Sequence, residues 1–172
     1  RLWADGITPD APLVDEFQGN LNFTDEDLRG RYRELSPKGK VDLVVIGCPQ
    51  ASVGEARETA AAVRAKMELG EAIPNHRLWL FMSSHNYDLI SLDGTLDILE
   101  EAGALVLRDT CPEVTPYNRS KYNHLLTNSL KAEHYLTSGL NRIPTSVAPI
   151  MECVSHAFDD SLIDAPRPEL VG

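Results

Sequence analysis

Two apolar runs in this chain close on the same dipeptide. The first passes from Leu43-Val44-Val45-Ile46 through Gly47 into Cys48-Pro49; the second passes from Leu105-Val106-Leu107 through Arg108-Asp109-Thr110 into Cys111-Pro112. Neither run alternates polar with apolar residues, the pattern of strands buried on both faces, as in a parallel sheet. Parallel neighbours cannot be joined by a tight turn and need a crossover, usually a helix. The two runs therefore commit the chain to alternating strands and helices. In an open α/β sheet, ligands bind just beyond the carboxyl ends of the strands. Both thiols fall there, which favours a metal or cluster site. Burial as small core residues is the competing explanation, and the separation of the two matches no standard zinc spacing.

The intervening sequence supplies the helices. Thr24 can cap a helix to about Leu35, with Asp25, Glu26 and Asp27 at its positive end. A strand is expected over 41–47. Ser52 with Glu55 makes a capping box for a helix over 53–69, stopped by Gly70. A second strand over 78–82 runs into Ser83-Ser84-His85-Asn86. A helical stretch broken near Asp93-Gly94 follows to Ala102, and then a strand over 104–107. Residues 124–127 form a short apolar run. Asn128-Ser129 opens a helix over 130–138, stopped by Gly139; a last strand is expected over 143–147 and a short helix over 150–158. This rhythm predicts an α/β fold of three layers, a mostly parallel sheet with helices on both faces. The expected organisation is an irregular arm or linker over 1–22, one α/β domain over 23–158 and an irregular tail over 159–172.

The 172 residues suffice for one domain with a real core. The net charge of −10 argues against nucleic-acid or anionic-membrane partners, and no apolar stretch is long enough to span a bilayer. Three cysteines make no disulfide framework, so a reducing cytoplasm is the expected compartment. The opening Arg1-Leu2-Trp3-Ala4-Asp5-Gly6 has neither a signal-peptide pattern nor an initiator methionine, as expected for a piece of a longer protein.

The loops after the strands supply the candidate site: Cys48 and Gln50, Ser83 to Asn86, Cys111, and Asn128 to Lys131. Ser129 can cap the following helix and leave backbone N–H groups for an anion. Lys131 sits in that first turn, where a cation opposes the helix dipole; a phosphate or carboxylate would offset this, and a solvated lysine is the plain alternative. His85 could bind an anion or exchange a proton. His134 and Tyr135 read as packing or surface residues, Cys153 as core, and Trp79 and Phe81 as sheet packing. Arg57, Glu58, Arg64, Lys66 and Glu68 read as a solvated helix face.

At these residues the chain resembles a known family. Gly47-Cys48-Pro49 followed by Ala51-Ser52, then Asp109-Thr110-Cys111, Thr127-Asn128-Ser129-Leu130-Lys131-Ala132 and Glu152-Cys153-Val154 are similar in order and spacing to the C-terminal part of the aconitase X large subunit. The likeness runs from Val41 to Phe158. It implies an iron–sulfur-dependent hydro-lyase that eliminates water from a hydroxy acid such as 5-phosphomevalonate, or alternatively from cis-3-hydroxy-L-proline. A noncatalytic α/β domain binding a partner chain or small anion is the alternative from another class. The resemblance implies a 4Fe-4S or 2Fe-2S cluster held by Cys48, Cys111 and a third cysteine outside this chain. It further implies substrate contacts from Ser129 and Lys131, beside which Asn128, Ser84 and His85 are candidates by their place at the same edge, and partners in the remainder of the large subunit and a small swivelling domain or subunit. With two of three cluster ligands, the chain alone is expected to be inactive. Two positions depart from the family pattern, Gln50 for a histidine and Ser83-Ser84-His85 for Thr-Ser-Arg, and both bear on substrate identity or on retained activity.

Overall fold

A computed structural model describes residues 21–158 of the chain. The arm expected over 1–22 and the tail expected over 159–172 lie outside the described residues, apart from Leu21 and Asn22. Helix α1 (Asp25–Leu35) comes first, followed by strand β1 (Leu43–Ile46) and helix α2 (Val53–Met67). Strand β2 (Leu78–Met82) leads into helices α3 (Ser84–Leu92) and α4 (Thr95–Glu101), then strand β3 (Leu105–Arg108). A long connection reaches strand β4 (Leu125–Thr127), which is followed by helix α5 (Leu130–Ser138), strand β5 (Thr145–Val147) and helix α6 (Ile150–Phe158). The five strands form one sheet in the order β3-β2-β1-β4-β5, and every neighbouring pair is parallel.

The strand order explains the layers. From β1 the sheet first grows one way, through α2 to β2 and through α3 and α4 to β3. The chain then returns across β1 and grows the other way, from β4 through α5 to β5. Right-handed crossovers in opposite directions put their helices on opposite faces. The core divides accordingly. Val63 of α2, Leu99 of α4 and Val154 of α6 pack with Val44, Ile46 and Leu80 on one face. Leu136 and Ala132 of α5 pack with Leu43, Val45 and Phe81 on the other, closed by Tyr117 and Tyr122 from the β3–β4 connection.

Local signals start the helices. Ser52 accepts from the Glu55 amide while the Glu55 carboxylate accepts from the Ser52 amide. Thr24 and Asp27 make the same reciprocal pair at α1. α1 buries no residue completely and lies against β5. Three expectations change. Helix α3 begins directly after β2, because Ser83 caps it by accepting from the Asn86 amide; Ser84 and His85 therefore stand in its first turn, not in a loop. The run over 124–127 is a central strand, β4, paired with β1 through Leu126 opposite Val44. The first and last strands are shorter than expected, covering Leu43–Ile46 and Thr145–Val147.

Candidate functional site

The sheet reverses its growth between β1 and β4, the point where open α/β sheets leave a crevice beyond their strand ends. Cys48 follows β1 and Ser129 follows β4, so both stand at this switch. Gly47 makes the placement of Cys48 possible. Its φ is +112°, and a Cβ built there would lie 2.2 Å from the Phe81 carbonyl oxygen. That same carbonyl accepts from the Ala51 amide at 2.7 Å. The chain therefore folds back tightly over the end of β2, and Cys48 is left buried at the sheet edge, joined to Pro49 by a cis peptide. Ser129 ties the two sides of the switch together. Its Oγ accepts from the Ala132 amide at 3.2 Å and donates to the Cys48 carbonyl.

Cys111 arrives from the end of β3, two strands away. Asp109, at a φ of +53°, turns the chain there, and its carboxylate accepts from the amide and the hydroxyl of Ser84. Those two bonds hold the Asp109 carboxyl below its ordinary value. Gln50 donates to the Thr110 carbonyl at 3.0 Å. These contacts draw the loop toward β1 and bring Cys111 to the same edge as Cys48. Burial chiefly pushes the Cys48 thiol up, and the negative charge of Cys111 adds to it. The Lys131 charge acts in the opposite sense and that of Glu113 in the same sense as Cys111. Tyr117 is raised as well, first by burial and then by Cys111, Glu113 and Cys48. Cys48 thus lies within electrostatic range of Cys111, Lys131 and Glu113, and Tyr117 within range of Cys111, Glu113 and Cys48.

The other sequence-predicted residues are placed as follows. Lys131 is exposed in the first turn of α5 and makes no hydrogen bond or ion pair among the described residues. Asn128 is half-buried; its amide nitrogen donates to Glu55 at 3.3 Å, and its Oδ1 is buried with no hydrogen-bond partner among the described residues. Ser84 is engaged with Asp109, whereas His85 is exposed at the start of α3. Cys153 is not with them. It lies fully buried on α6, its thiol donates to the Ala148 carbonyl at 3.3 Å, and burial drives its pKa far up. His134 and Tyr135 are exposed.

The sequence alone did not point to Glu113 or Tyr117, and it showed Asp109 only as part of the Asp109-Thr110-Cys111 motif. Glu113 directly follows Cys111-Pro112 and was legible as a neighbour of the motif, but nothing local marks where its carboxylate goes. A groove of about 470 Å³ between α2 and α4, lined by Arg57, Arg64, Glu68 and Asp93, lies away from the strand ends. Its two facing charges, Arg57 and Asp93, pair with each other at 2.7 Å.

Among the described residues, no three His, Cys, Asp or Glu side chains stand close enough to hold a metal ion on their own. Cys48 and Cys111 nonetheless suit an iron–sulfur cluster by chemistry, because both are free thiols that follow strand ends of one parallel sheet. They would be two ligands of an incomplete set. No helix among the described residues is long and apolar enough to cross a membrane.

Residues 41–159 match the family model described as the aconitase X third domain. The chain is 33% identical over 114 residues to the phosphomevalonate dehydratase large subunit of Methanocaldococcus jannaschii, covering 66% of this chain and 27% of that protein. It is 32% identical over 132 residues to the protein of the same name from Methanothermobacter thermautotrophicus, covering 77% and 28%. The chain thus spans less than a third of the length of these relatives. The fold is similar to that of holo-form aconitase X from Thermococcus kodakaraensis, with a TM-score of 0.69, 23% identity, and coverage of 84% of this chain and 36% of that one. The switch-point geometry and the matched span lead to one conclusion: the chain belongs to the aconitase X family and carries its third domain.

Proposed function

We propose that this domain is the ligand-bearing part of an iron–sulfur-dependent hydro-lyase that eliminates water from an anionic hydroxy acid such as 5-phosphomevalonate. The observation that supports the reading is that Cys48 stands at the switch point, bonded through its carbonyl to Ser129, while the Cys111 loop is tied back toward it by the Gln50–Thr110 hydrogen bond. The names of the relatives favour phosphomevalonate over cis-3-hydroxy-L-proline. The enzyme would be completed by the remainder of a large subunit, which supplies the third thiol, and by a small swivelling domain or subunit, in a reducing cytoplasm.

Cys48 and Cys111 would hold the cluster as thiolates. When bound, a cluster with three thiolate ligands supplies an open iron as a Lewis acid toward a departing hydroxyl. The other residues position and neutralise. Lys131 stands in the first turn of α5, and Ser129 caps that helix at its positive end. Together they suit a phosphate or carboxylate. Asn128 offers a carbonyl oxygen with no hydrogen-bond partner among the described residues, while its amide nitrogen is held by Glu55. Ser84 has its hydroxyl committed to Asp109 and orders the Cys111 loop more than it greets a ligand. His85, exposed beside it, can hydrogen-bond an anion but is a shorter clamp than an arginine.

The test is anaerobic reconstitution with iron and sulfide of this chain assembled with its complementing large-subunit part and small subunit. Cys48→Ser and Cys111→Ser should each lose most of the visible charge-transfer absorption and the bound sulfide, and Cys153→Ser should keep both. Full cluster content in either of the first two variants would refute the assignment. It would favour the noncatalytic alternative, in which the cysteines only pack.

A further inference from the structure

Helix α5 touches both cysteine loops, one at each end. At its start, Ser129 donates to the Cys48 carbonyl. At its finish, Glu113 takes hold of the chain leaving the helix: its Oε1 accepts from the Leu140 amide at 2.7 Å, and its backbone carbonyl accepts from the Asn141 side-chain amide. The fit is close. A Cβ at Gly139 would fall 2.4 Å from Glu113 Oε1 and 2.5 Å from the Tyr135 carbonyl, so the glycine leaves room for the carboxylate as well as ending the helix. The loop is also braced within itself, since Thr115 donates to the Cys111 carbonyl at 2.9 Å and Tyr117 to the Pro112 carbonyl at 3.0 Å.

We infer that Glu113 is a positioning residue: it latches the Cys111 loop to the C-terminal end of α5, so that this helix, anchored at its other end to Cys48, sets the spacing of the two thiols. This deepens the cluster reading and rests on Cys48 and Cys111 acting as a pair. Glu113 touches no ligand in this role. It works through a hydrogen bond that either a carboxylate or a carboxamide can accept, and the charge is secondary to the geometry.

The experiment measures the thiol pair directly. The full chain is treated with a short bis-methanethiosulfonate, in which each thiolate displaces one methanesulfinate to form a mixed disulfide. Mass spectrometry then separates the single bridged adduct from the doubly capped one, and Cys48→Ser and Cys111→Ser identify the bridge. Glu113→Ala should lower the bridged fraction about tenfold, the equilibrium weight of one charge-assisted hydrogen bond. Glu113→Gln retains the acceptor and should stay within about threefold of the parent, since a neutral bond is weaker but present. Asn141→Ala removes the other half of the latch, keeps Glu113, and should fall between the two. It serves as the deciding variant if Glu113→Ala does not fold. Melting temperatures recorded in parallel separate a shifted loop from a loosened fold. Bridging of Glu113→Ala and Asn141→Ala at the parental level would overturn the latch, as would a Glu113→Gln loss equal to that of Glu113→Ala. No bridge in the parent chain would instead overturn the pairing of Cys48 with Cys111, and the latch with it.

Discussion

Gly47 is where the backbone leaves least freedom, and Gly47→Ala puts a number on that. Two terms add. The φ of +112° lies where side chains other than glycine are rarely found, and holding an alanine there stores roughly 1–3 kcal/mol. The added Cβ would also sit 2.2 Å from the Phe81 carbonyl oxygen and 3.0 Å from the Ala51 nitrogen. Both are backbone atoms, so no side chain can swing away. Relief requires opening the Ala51–Phe81 hydrogen bond, whose buried groups then lose their partners at a further 1–3 kcal/mol or so. The sum is about 2–6 kcal/mol, a large part of the roughly 5–15 kcal/mol that keeps a domain folded. For a chain of this size each kcal/mol moves Tm by about 2–4 °C. A midrange loss of about 4 kcal/mol should therefore lower Tm by roughly 8–16 °C. Urea unfolding followed by circular dichroism gives the free energy, and a thermal scan gives Tm. Gly70→Ala is the control. Gly70 has a φ of +80° but nothing within 4 Å of a built Cβ, so its alanine carries the handedness penalty of about 1–2 kcal/mol alone. If Gly47→Ala is no more destabilising than Gly70→Ala, the close approach to Phe81 is not what demands glycine, and it does not place Cys48.

Two further outcomes are expected. Cys153 has its ordinary value of 9.0 raised by complete burial. Above about pH 9 the unfolded chain therefore releases a proton that the folded chain keeps, and stability falls as pH rises, by at most about 1.4 kcal/mol per pH unit for one such group. Urea titrations from pH 7 to 10 should show a flatter alkaline decline in Cys153→Ala, on a baseline lower by about 1–2 kcal/mol for the lost packing; an unchanged slope would show that the thiol does not contribute. In the assembled enzyme, Lys131→Ala should lower kcat/KM about 10- to 100-fold, the loss of one charge-assisted contact, with Tm unmoved because the side chain is exposed. Unchanged steady-state kinetics would make it a plain surface lysine.

The elements that local chemistry specifies are legible in the sequence. Leu43 to Ile46 and Leu78 to Met82 announce buried strands by composition alone. Ser52 with Glu55, Thr24, and Ser129 announce helix starts, because a cap is satisfied within three residues of itself. Cys153 read as core, and it is fully buried. Less was legible wherever satisfaction comes from far along the chain. Residues 124–127 are too short and too weakly patterned to declare a strand. They become β4 because β1 offers an open edge and because Asp42 accepts from the amides of Asn123 and His124. Ser84 looked like a free polar residue at a strand end, yet Asp109, a distant residue, takes its hydroxyl.

Local patterning suffices to put Cys48 and Cys111 after two parallel strands, and so on one edge of a sheet. The rule that parallel strands point the same way suffices for that. How near they come depends on strand order and on long-range contacts. β1 and β3 are separated by β2, and strand order is not written in any local pattern. The reversal of the sheet at β1 brings β4 and α5 beside Cys48, while Gln50, Asp109 and Glu113 bend the Cys111 loop inward. Each of those three contacts joins residues more than twenty positions apart, and closing such loops becomes favourable only once the sheet holds both ends in place.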